Sequence, residues 1–403
     1  MDRFFYIAIT AFVLLVATPA FTLAQDAETP LAETVTPIVI GESLTIHSEI
    51  LGEDRTVLIH KPPVYDRTST AYPVLYLLDG DAHFHHTTGI INFLSSVGRM
   101  SPMLVVALPN TDRTRDLTPP LSTEDQRFLT AGGADSFLAF IADELMPFVE
   151  ANYRTAPYKA LVGHSFGGLF AIHALLTRPE AFDAYVSISP SLWWDNKGLL
   201  PKAEAFFEAN EALRGFLYMT MGNEGGAMLA GAWGMAGVLE EKAPDGFEWA
   251  FALMEEETHG SIPHRTTYDA LEALYADWRI ENVGQLFDAG GLAALDAHYA
   301  ALSEKFKYEI LTPEGVVNSM GYRLLGQQKP EEAIAVFQRN VEVYPTSANV
   351  YDSLGDGLFA NEQYEEAKAS YEKACTMGRT ANDPNTQIYC GNVEKATKKL
   401  SEM

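Results

Sequence analysis

The stretch Gly163-His164-Ser165-Phe166-Gly167-Gly168 sets one hydroxyl between glycines two positions away on either side. Ala160-Leu161-Val162 leads in as an apolar run, and Leu169-Phe170-Ala171-Ile172 leaves at helical spacing. A strand, a sharp turn and a helix are what a Gly-x-Ser-x-Gly elbow needs to hold a serine hydroxyl clear of the chain. Gly163 and Gly167 remove side chains that would collide across such a turn. A helix starting at Phe166 points unpaired N–H groups and a positive dipole end at a developing oxyanion. The chemistry implied is nucleophilic attack by Ser165 on a carbonyl, with the Phe166 backbone amide as one oxyanion donor. The competing reading is a Gly-rich turn with an incidental serine, and the flanking pattern argues against it.

A serine hydroxyl needs a base. His259, in Glu257-Thr258-His259-Gly260-Ser261, follows the last strand-like run and precedes a helical one, in the chain order nucleophile, acid, histidine. His264 is its near competitor and is expected to be exposed or to stand behind it. Glu224 follows the run Phe216 to Met221, where an acid would orient the imidazole. Asp195, after the preceding strand, is the alternative acid, and a Ser-His dyad with no acid is a third arrangement. Leu78-Asp79-Gly80-Asp81 ends an early strand at the level of a second oxyanion donor. That donor is assigned to the backbone of Asp81, because a carboxylate side chain does not help an anion.

Other residues are candidates for shaping a substrate pocket. Arg113 and Arg115, in Thr111-Asp112-Arg113-Thr114-Arg115-Asp116, either meet a substrate carboxylate or pair with Asp112 and Asp116. Trp193 and Trp194 point opposite ways in extended chain, so one lines the pocket while the other packs. His164, beside the serine, completes the set. His83, His85 and His86 cluster near Asp79 and Asp81, but their spacing matches no common ligand motif and a serine nucleophile needs no metal. No metal or cofactor is expected.

The elements that must position these groups alternate in type. Ile46-Ser48-Ile50 and Arg55-Val57-Ile59 alternate as edge strands, while Val74 to Leu78 and Met103 to Leu108 are continuous apolar runs, as strands buried on both faces are. A helical period covers Phe137 to Val149. Strands follow at Ala184 to Ile188, Phe216 to Met221 and Trp249 to Met254, then a closing helix over Thr267 to Trp278. The pattern predicts an α/β fold with a doubly wound, mostly parallel sheet and ligands at the carboxyl ends of its strands.

At 403 residues the chain is long enough for two domains, and 47% hydrophobic residues suffice for a packed core. Its formal charge of −26 argues against nucleic acid or an anionic membrane as partner. Phe4 to Val16 is apolar and too short to span a bilayer, and Thr22-Leu23-Ala24 offers a cleavage point. Residues 1–24 are therefore expected to be a signal peptide, which places the protein in the periplasm or medium of a bacterium, with a retained anchor as the alternative. Gln25 to Thr36 is polar and expected to be disordered. Cys375 and Cys390, the two cysteines, either bridge or lie as buried thiols.

The C-terminal stretch repeats. Gly321, Leu324, Ala333 and Phe337 recur 34 residues on as Gly355, Leu358, Ala367 and Tyr371, and Val317 as Tyr351. That is the spacing of tetratricopeptide helix pairs, with Ile388 to Leu400 as a capping helix. The expected domains are 37–280 for the catalytic unit, 281–310 for a helical connector and 311–403 for the repeats, which offer a surface for a protein or peptide partner.

The chain resembles the esterase family of α/β-hydrolases that takes in enterochelin-type siderophore esterases, esterase D-like enzymes and mycolyltransferases. The resemblance rests on Leu78-Asp79-Gly80, Gly163 to Gly168, Ser189-Pro190-Ser191-Leu192-Trp193-Trp194 and His259-Gly260-Ser261, and covers about residues 40 to 280. It implies hydrolysis of small carboxylic esters, siderophore esters among them, through an acyl-enzyme on Ser165 with His259 as base. Glu224 stands where members with a full triad place the acid, and some siderophore-esterase relatives use a dyad. The alternatives are an acyltransferase using the same residues and an idle hydrolase fold that scaffolds partners through its repeats. The repeats depart from the family's smaller members.

Overall fold

The computed structural model describes residues 36–123 and 125–403, so the expected signal segment and nearly all of Gln25 to Thr36 lie outside the described residues. The strands are β1 (Glu42–Ser48), β2 (Glu53–His60), β3 (Tyr72–Leu78), β4 (Leu104–Leu108), β5 (Thr155–His164), β6 (Ala184–Ile188), β7 (Gly215–Gly222) and β8 (Phe247–Met254). They form one sheet in the order β1-β2-β4-β3-β5-β6-β7-β8. β2 runs antiparallel to β1 and to β4, and every other pair is parallel. The chain turns back at Glu49, so Ile50 lies in a turn and not in the first strand.

The first helices are α1 (Gly80–Ser96), α2 (Arg113–Leu117), α3 (Ala134–Ala139), α4 (Met146–Asn152), α5 (Phe166–Thr177), α6 (Trp194–Lys197), α7 (Leu199–Ala209), α8 (Gly226–Lys242) and α9 (Ile262–Leu274). A π-helical segment over Phe140–Leu145 joins α3 to α4, so the predicted helix there is one run with a widened middle. α9 starts five residues before the sequence period suggested, because Pro263 fills a first-turn position that lacks an internal hydrogen bond anyway. Successive β3 residues serve opposite faces. Tyr76 and Leu78 join α3, α5 and α7 in one core, whereas Leu75 and Leu77 join α1 and α9 in the other. A strand buried on both faces reads as an unbroken apolar run, which is the pattern of Val74 to Leu78.

Beyond the sheet come α10 (Val283–Phe306), α11 (Glu314–Gly326), α12 (Pro330–Val343), α13 (Ala348–Ala360), α14 (Tyr364–Ala381) and α15 (Thr386–Ser401). α10 bends at Gly291, where φ is 64°. Its second half puts Tyr299, Leu302 and Phe306 into the sheet core, with the Phe306 ring stacked 4.6 Å from Tyr275. The same helix gives Leu295 to the core of α11 and α12. The expected connector is thus a shared wall, and residues 40–403 form one compact unit. In the tail the two glycines permit close helix contact: a Cβ on Gly321 would come 2.3 Å from Phe337, and one on Gly355 2.5 Å from Tyr371. Cys375 and Cys390 are joined as a disulfide between α14 and α15. Among the described residues no helix is long and apolar enough to cross a membrane.

Candidate active site

The carboxyl ends of six neighbouring strands supply the site. β5 hands the chain to α5 through Ser165, whose φ of 61° and ψ of −111° lie outside the ordinary regions for a residue with a side chain. The turn is fixed on both sides. Ser165 N–H donates to Ile188 O at 2.9 Å, and Ser191 N–H donates to Ser165 O at 3.1 Å. A Cβ on Gly163 would stand 2.2 Å from Gly167 O, and one on Gly168 2.9 Å from Ile188 O, so neither position has room for a side chain. The Ser165 hydroxyl lies 3.4 Å from Ser191 Oγ, a neighbour that the sequence reading did not single out.

His259 and Glu224 meet. The loop after β7 carries Glu224 and the loop after β8 carries His259, and Asn223 N–H donates to Glu257 O at 2.8 Å to tie the two together. His259 Nδ1 is 2.6 Å from Glu224 Oε2. The carboxylate is nearly buried, with a 10% exposed side chain, while the imidazole is 41% exposed. Glu224 Oε1 is buried with no hydrogen-bond partner. Asp195 is elsewhere: its Oδ1 accepts from Ser122 N–H at 3.0 Å and from Ser122 Oγ–H at 2.6 Å. That engagement removes it as a partner for the histidine.

The arginines do not form a free anion fork. Arg113 Nε donates to Asp79 Oδ1 at 2.6 Å and its Nη2 to Asp79 Oδ2 at 3.0 Å and to His164 O at 3.0 Å. Arg115 pairs with Asp116 at 2.7 Å and with Glu53 on β2, next to the buried pair of Arg55 and Asp116. Of the two expected roles of Arg115, the structure shows the pairing with Asp116 and not a free fork for a substrate, because its remaining donors tie α2 to β2 through Glu53. The Arg113 partner is Asp79, not Asp112 or Asp116. Asp112 instead caps α2, accepting from Arg115 N–H at 3.0 Å.

Of the two tryptophans, Trp194 is buried and donates from its indole to Pro119 O at 3.0 Å. Trp193 is half-buried. Phe128 brings its ring within 6.0 Å of Phe166, 6.1 Å of Trp193 and 4.9 Å of Trp194, building an aromatic wall beside the serine turn. Nothing in the sequence period marked Phe128, since it reaches the wall through an irregular segment.

The histidines make a chain of rings. His164 lies 4.4 Å from His259 and 5.7 Å from His83, His83 Nδ1 is 3.0 Å from His86 Nε2, and His86 lies 5.3 Å from His264. Burial, reinforced by the neighbouring rings of His259 and His83, pushes His164 down to about 3. Burial and the other imidazoles likewise bring His86 to about 4. Both are therefore neutral near pH 7. Among the described residues no three His, Cys, Asp or Glu side chains converge as a cation would need. The first-turn amides of Phe166 and Asp81 open α5 and α1, where helix geometry leaves N–H groups without internal partners.

The family model described as "Putative esterase" matches residues 48–220. The eight-stranded, mostly parallel sheet flanked by helices is an α/β-hydrolase fold. The chain is 32% identical over 192 residues to the siderophore triacetylfusarinine C esterase of Aspergillus fumigatus, covering 44% of this chain and 65% of that protein. It is 36% identical over 167 residues to the siderophore enterobactin esterase of Emericella nidulans, covering 35% of this chain and 53% of that one. The chain thus spans less than two thirds of the length of these relatives. The solved structure of an IroE-like serine hydrolase from Shewanella oneidensis is similar with a TM-score of 0.63 and 29% identity, over 75% of this chain and 99% of that one.

Proposed function

We propose that the protein hydrolyses carboxylic esters through an acyl-enzyme on Ser165, with His259 as base and Glu224 as the acid that orients it. The observation that carries this reading is the 2.6 Å contact between His259 and Glu224, on loops that follow strands of the same sheet end as the strained Ser165 turn. His259 Nε2 takes the serine proton as Ser165 Oγ attacks the carbonyl. The amides of Phe166 and Asp81 receive the oxyanion, the protonated imidazole returns its proton to the leaving alkoxide, and water then releases the acid by the same route. A tightly held carboxylate fixes the tautomer that leaves Nε2 free to accept.

The substrate class proposed is a siderophore ester, supported by the similarity to esterases of two siderophores and by the Phe128, Phe166 and Trp193 wall, which suits an aryl or flat acyl group. The tail is proposed to be a tetratricopeptide pair with a capping helix, supported by α11 and α13, and α12 and α14, starting 34 residues apart. Export is supported by the apolar run Phe4 to Val16 and by the Cys375–Cys390 disulfide, which suits an oxidising compartment.

The test is hydrolysis of p-nitrophenyl esters of graded length beside catecholate and hydroxamate siderophore esters, with added alcohol to expose acyl transfer. Ser165→Ala and His259→Ala should each lower turnover by roughly three or more orders of magnitude, and the double variant should be little worse than either, because the two act as a unit. Additive losses, or an unlabelled Ser165 after exposure to a fluorophosphonate, would defeat the assignment.

A further inference from the structure

The two amides assigned to the oxyanion lie in the first turns of different helices, α1 and α5. One amide follows β3 and the other follows β5, and although Leu77 and Val162 pair in the sheet, the loops above them have left its hydrogen bonding. A single guanidinium spans the gap. Arg113 grips Asp79 through Nε at 2.6 Å and Nη2 at 3.0 Å, and the same Nη2 donates to the carbonyl of His164, the residue before the serine, at 3.0 Å. Asp79 is the residue before α1 and holds a left-handed backbone, φ 52° and ψ 45°, which is unfavourable for a residue with a Cβ. Its side chain is 6% exposed, and Asn110 Nδ2 adds a further bond to Oδ1 at 2.8 Å. The first turn of α5 passes beside the same carboxylate, where a Cβ added to Gly167 would lie 3.3 Å from Asp79 Oδ2. Arg113 itself is held from a fixed base, because Asp116, three residues along α2, pairs with Arg55 in the core.

We propose that Asp79 and Arg113 form a positioning clamp that sets the α1 amide against the serine turn and so governs how fast Ser165 is acylated. The inference rests on the esterase reading above. Oxyanion donors act over a narrow distance range, and a displacement of about 1 Å is enough to cost about 100-fold in rate. The clamp also explains why Arg113 is not an anion anchor: the fork that would take a substrate carboxylate is already filled by Asp79.

The experiment uses the purified full chain carrying Arg113→Ala, Arg113→Lys, Asp79→Asn or Asp79→Asn with Arg113→Ala. It compares p-nitrophenyl butyrate with an ester that carries a carboxylate on its acyl group. Arg113→Ala should lower kcat about 100-fold on both esters while KM stays within about 3-fold. Millimolar methylguanidinium should restore about 10-fold of the lost turnover in Arg113→Ala while leaving the parent protein unchanged, a response that loss of stability alone would not give. The double variant should be no worse than Arg113→Ala. Arg113→Lys keeps the charge but lacks the fork, so it should lose roughly 10-fold in kcat even if the alanine variant fails to fold. A kcat within 3-fold of the parent in both Arg113 variants overturns the clamp. So does a loss confined to KM for the acidic ester, which would make Arg113 a substrate anchor. A parent protein that turns over neither ester and takes no fluorophosphonate overturns the esterase reading beneath it, an outcome distinct from both.

Discussion

Replacing Glu224 by Gln puts the arrangement of the base to a quantitative test. In the parent, Oε2 holds His259 Nδ1 at 2.6 Å and Oε1 is buried with no partner. An amide has two ways to fill that space, and both are worse. With its oxygen toward His259, the bond loses its charge assistance, about 1 kcal/mol, and the NH2 group is buried where nothing accepts it, about 1–3 kcal/mol more. With its nitrogen toward His259, the amide forces Nδ1 to accept, which sends the ring proton to Nε2, and that tautomer cannot take the proton of Ser165. The imidazole is 41% exposed, so solvent offers it partial relief and the upper limit of triad effects is not expected. The sum is about 2–4 kcal/mol, or roughly 30- to 1,000-fold in kcat. Steady-state kinetics on a p-nitrophenyl ester should show that loss with KM nearly unchanged, the pattern expected of a residue that orients the base without touching substrate. Asp195→Asn, whose parent carboxylate is engaged by Ser122, should change kcat by less than about 5-fold. If Glu224→Gln stays within 3-fold of the parent, the site works as a dyad and the contact is structural. If Asp195→Asn is the more damaging change, the geometry has been misread.

Further outcomes follow from the packing and from the buried charges. A chain ended at Trp278 strips Tyr299, Leu302 and Phe306 from the sheet core, whereas one ended at Tyr308 keeps them, so thermal melts should show the first far less stable and only the second should retain activity on small esters. His164 and His86 are held neutral at about 3 and about 4 against an unfolded value near 6.5, so their contribution to stability is full above pH 6.5 and is lost as the pH falls toward those values. The groups acting on His164 are His259, His83, Asp79 and Arg113. Urea midpoints measured from pH 7 to pH 4 should therefore fall, and His86→Asn should flatten the decline. Asp352, raised to about 6 by its burial, works in the opposite sense: its contribution is full below pH 4 and is lost as the pH rises through 6, which Asp352→Asn should abolish. Cys390→Ser should destabilise the tail by about 3 kcal/mol, from the loop closed over a separation of 15 residues, with ester hydrolysis unchanged.

The sequence by itself determined the parts whose physics is local. Gly163 and Gly168 mark a turn with no room for a Cβ at either position, and the α/β alternation and the 34-residue period are written in the order of apolar positions. The placement of Glu224 and His259 after successive strands was legible for the same reason, because a parallel sheet delivers its carboxyl ends to one side. What the sequence left open needed contacts between distant segments. Asp195 and Glu224 were indistinguishable by position, and only folding gave one to Ser122 and the other to His259. Arg113 and Arg115 sit two residues apart with acidic neighbours on both sides. Pairing rules favoured those neighbours or a substrate; Arg115 does take Asp116, but it also takes Glu53 from β2, and Arg113 takes Asp79 from the turn after β3. Phe128 reaches Phe166 and the two tryptophans through a segment with no period, and α10 packs on the sheet core because Phe306 finds Tyr275 there. Periodicity records which face of an element is buried, but it carries no information about what the face is buried against. That pairing is decided by tertiary packing, which is why the serine turn could be read from the chain and the Asp79–Arg113 pair beside it could not.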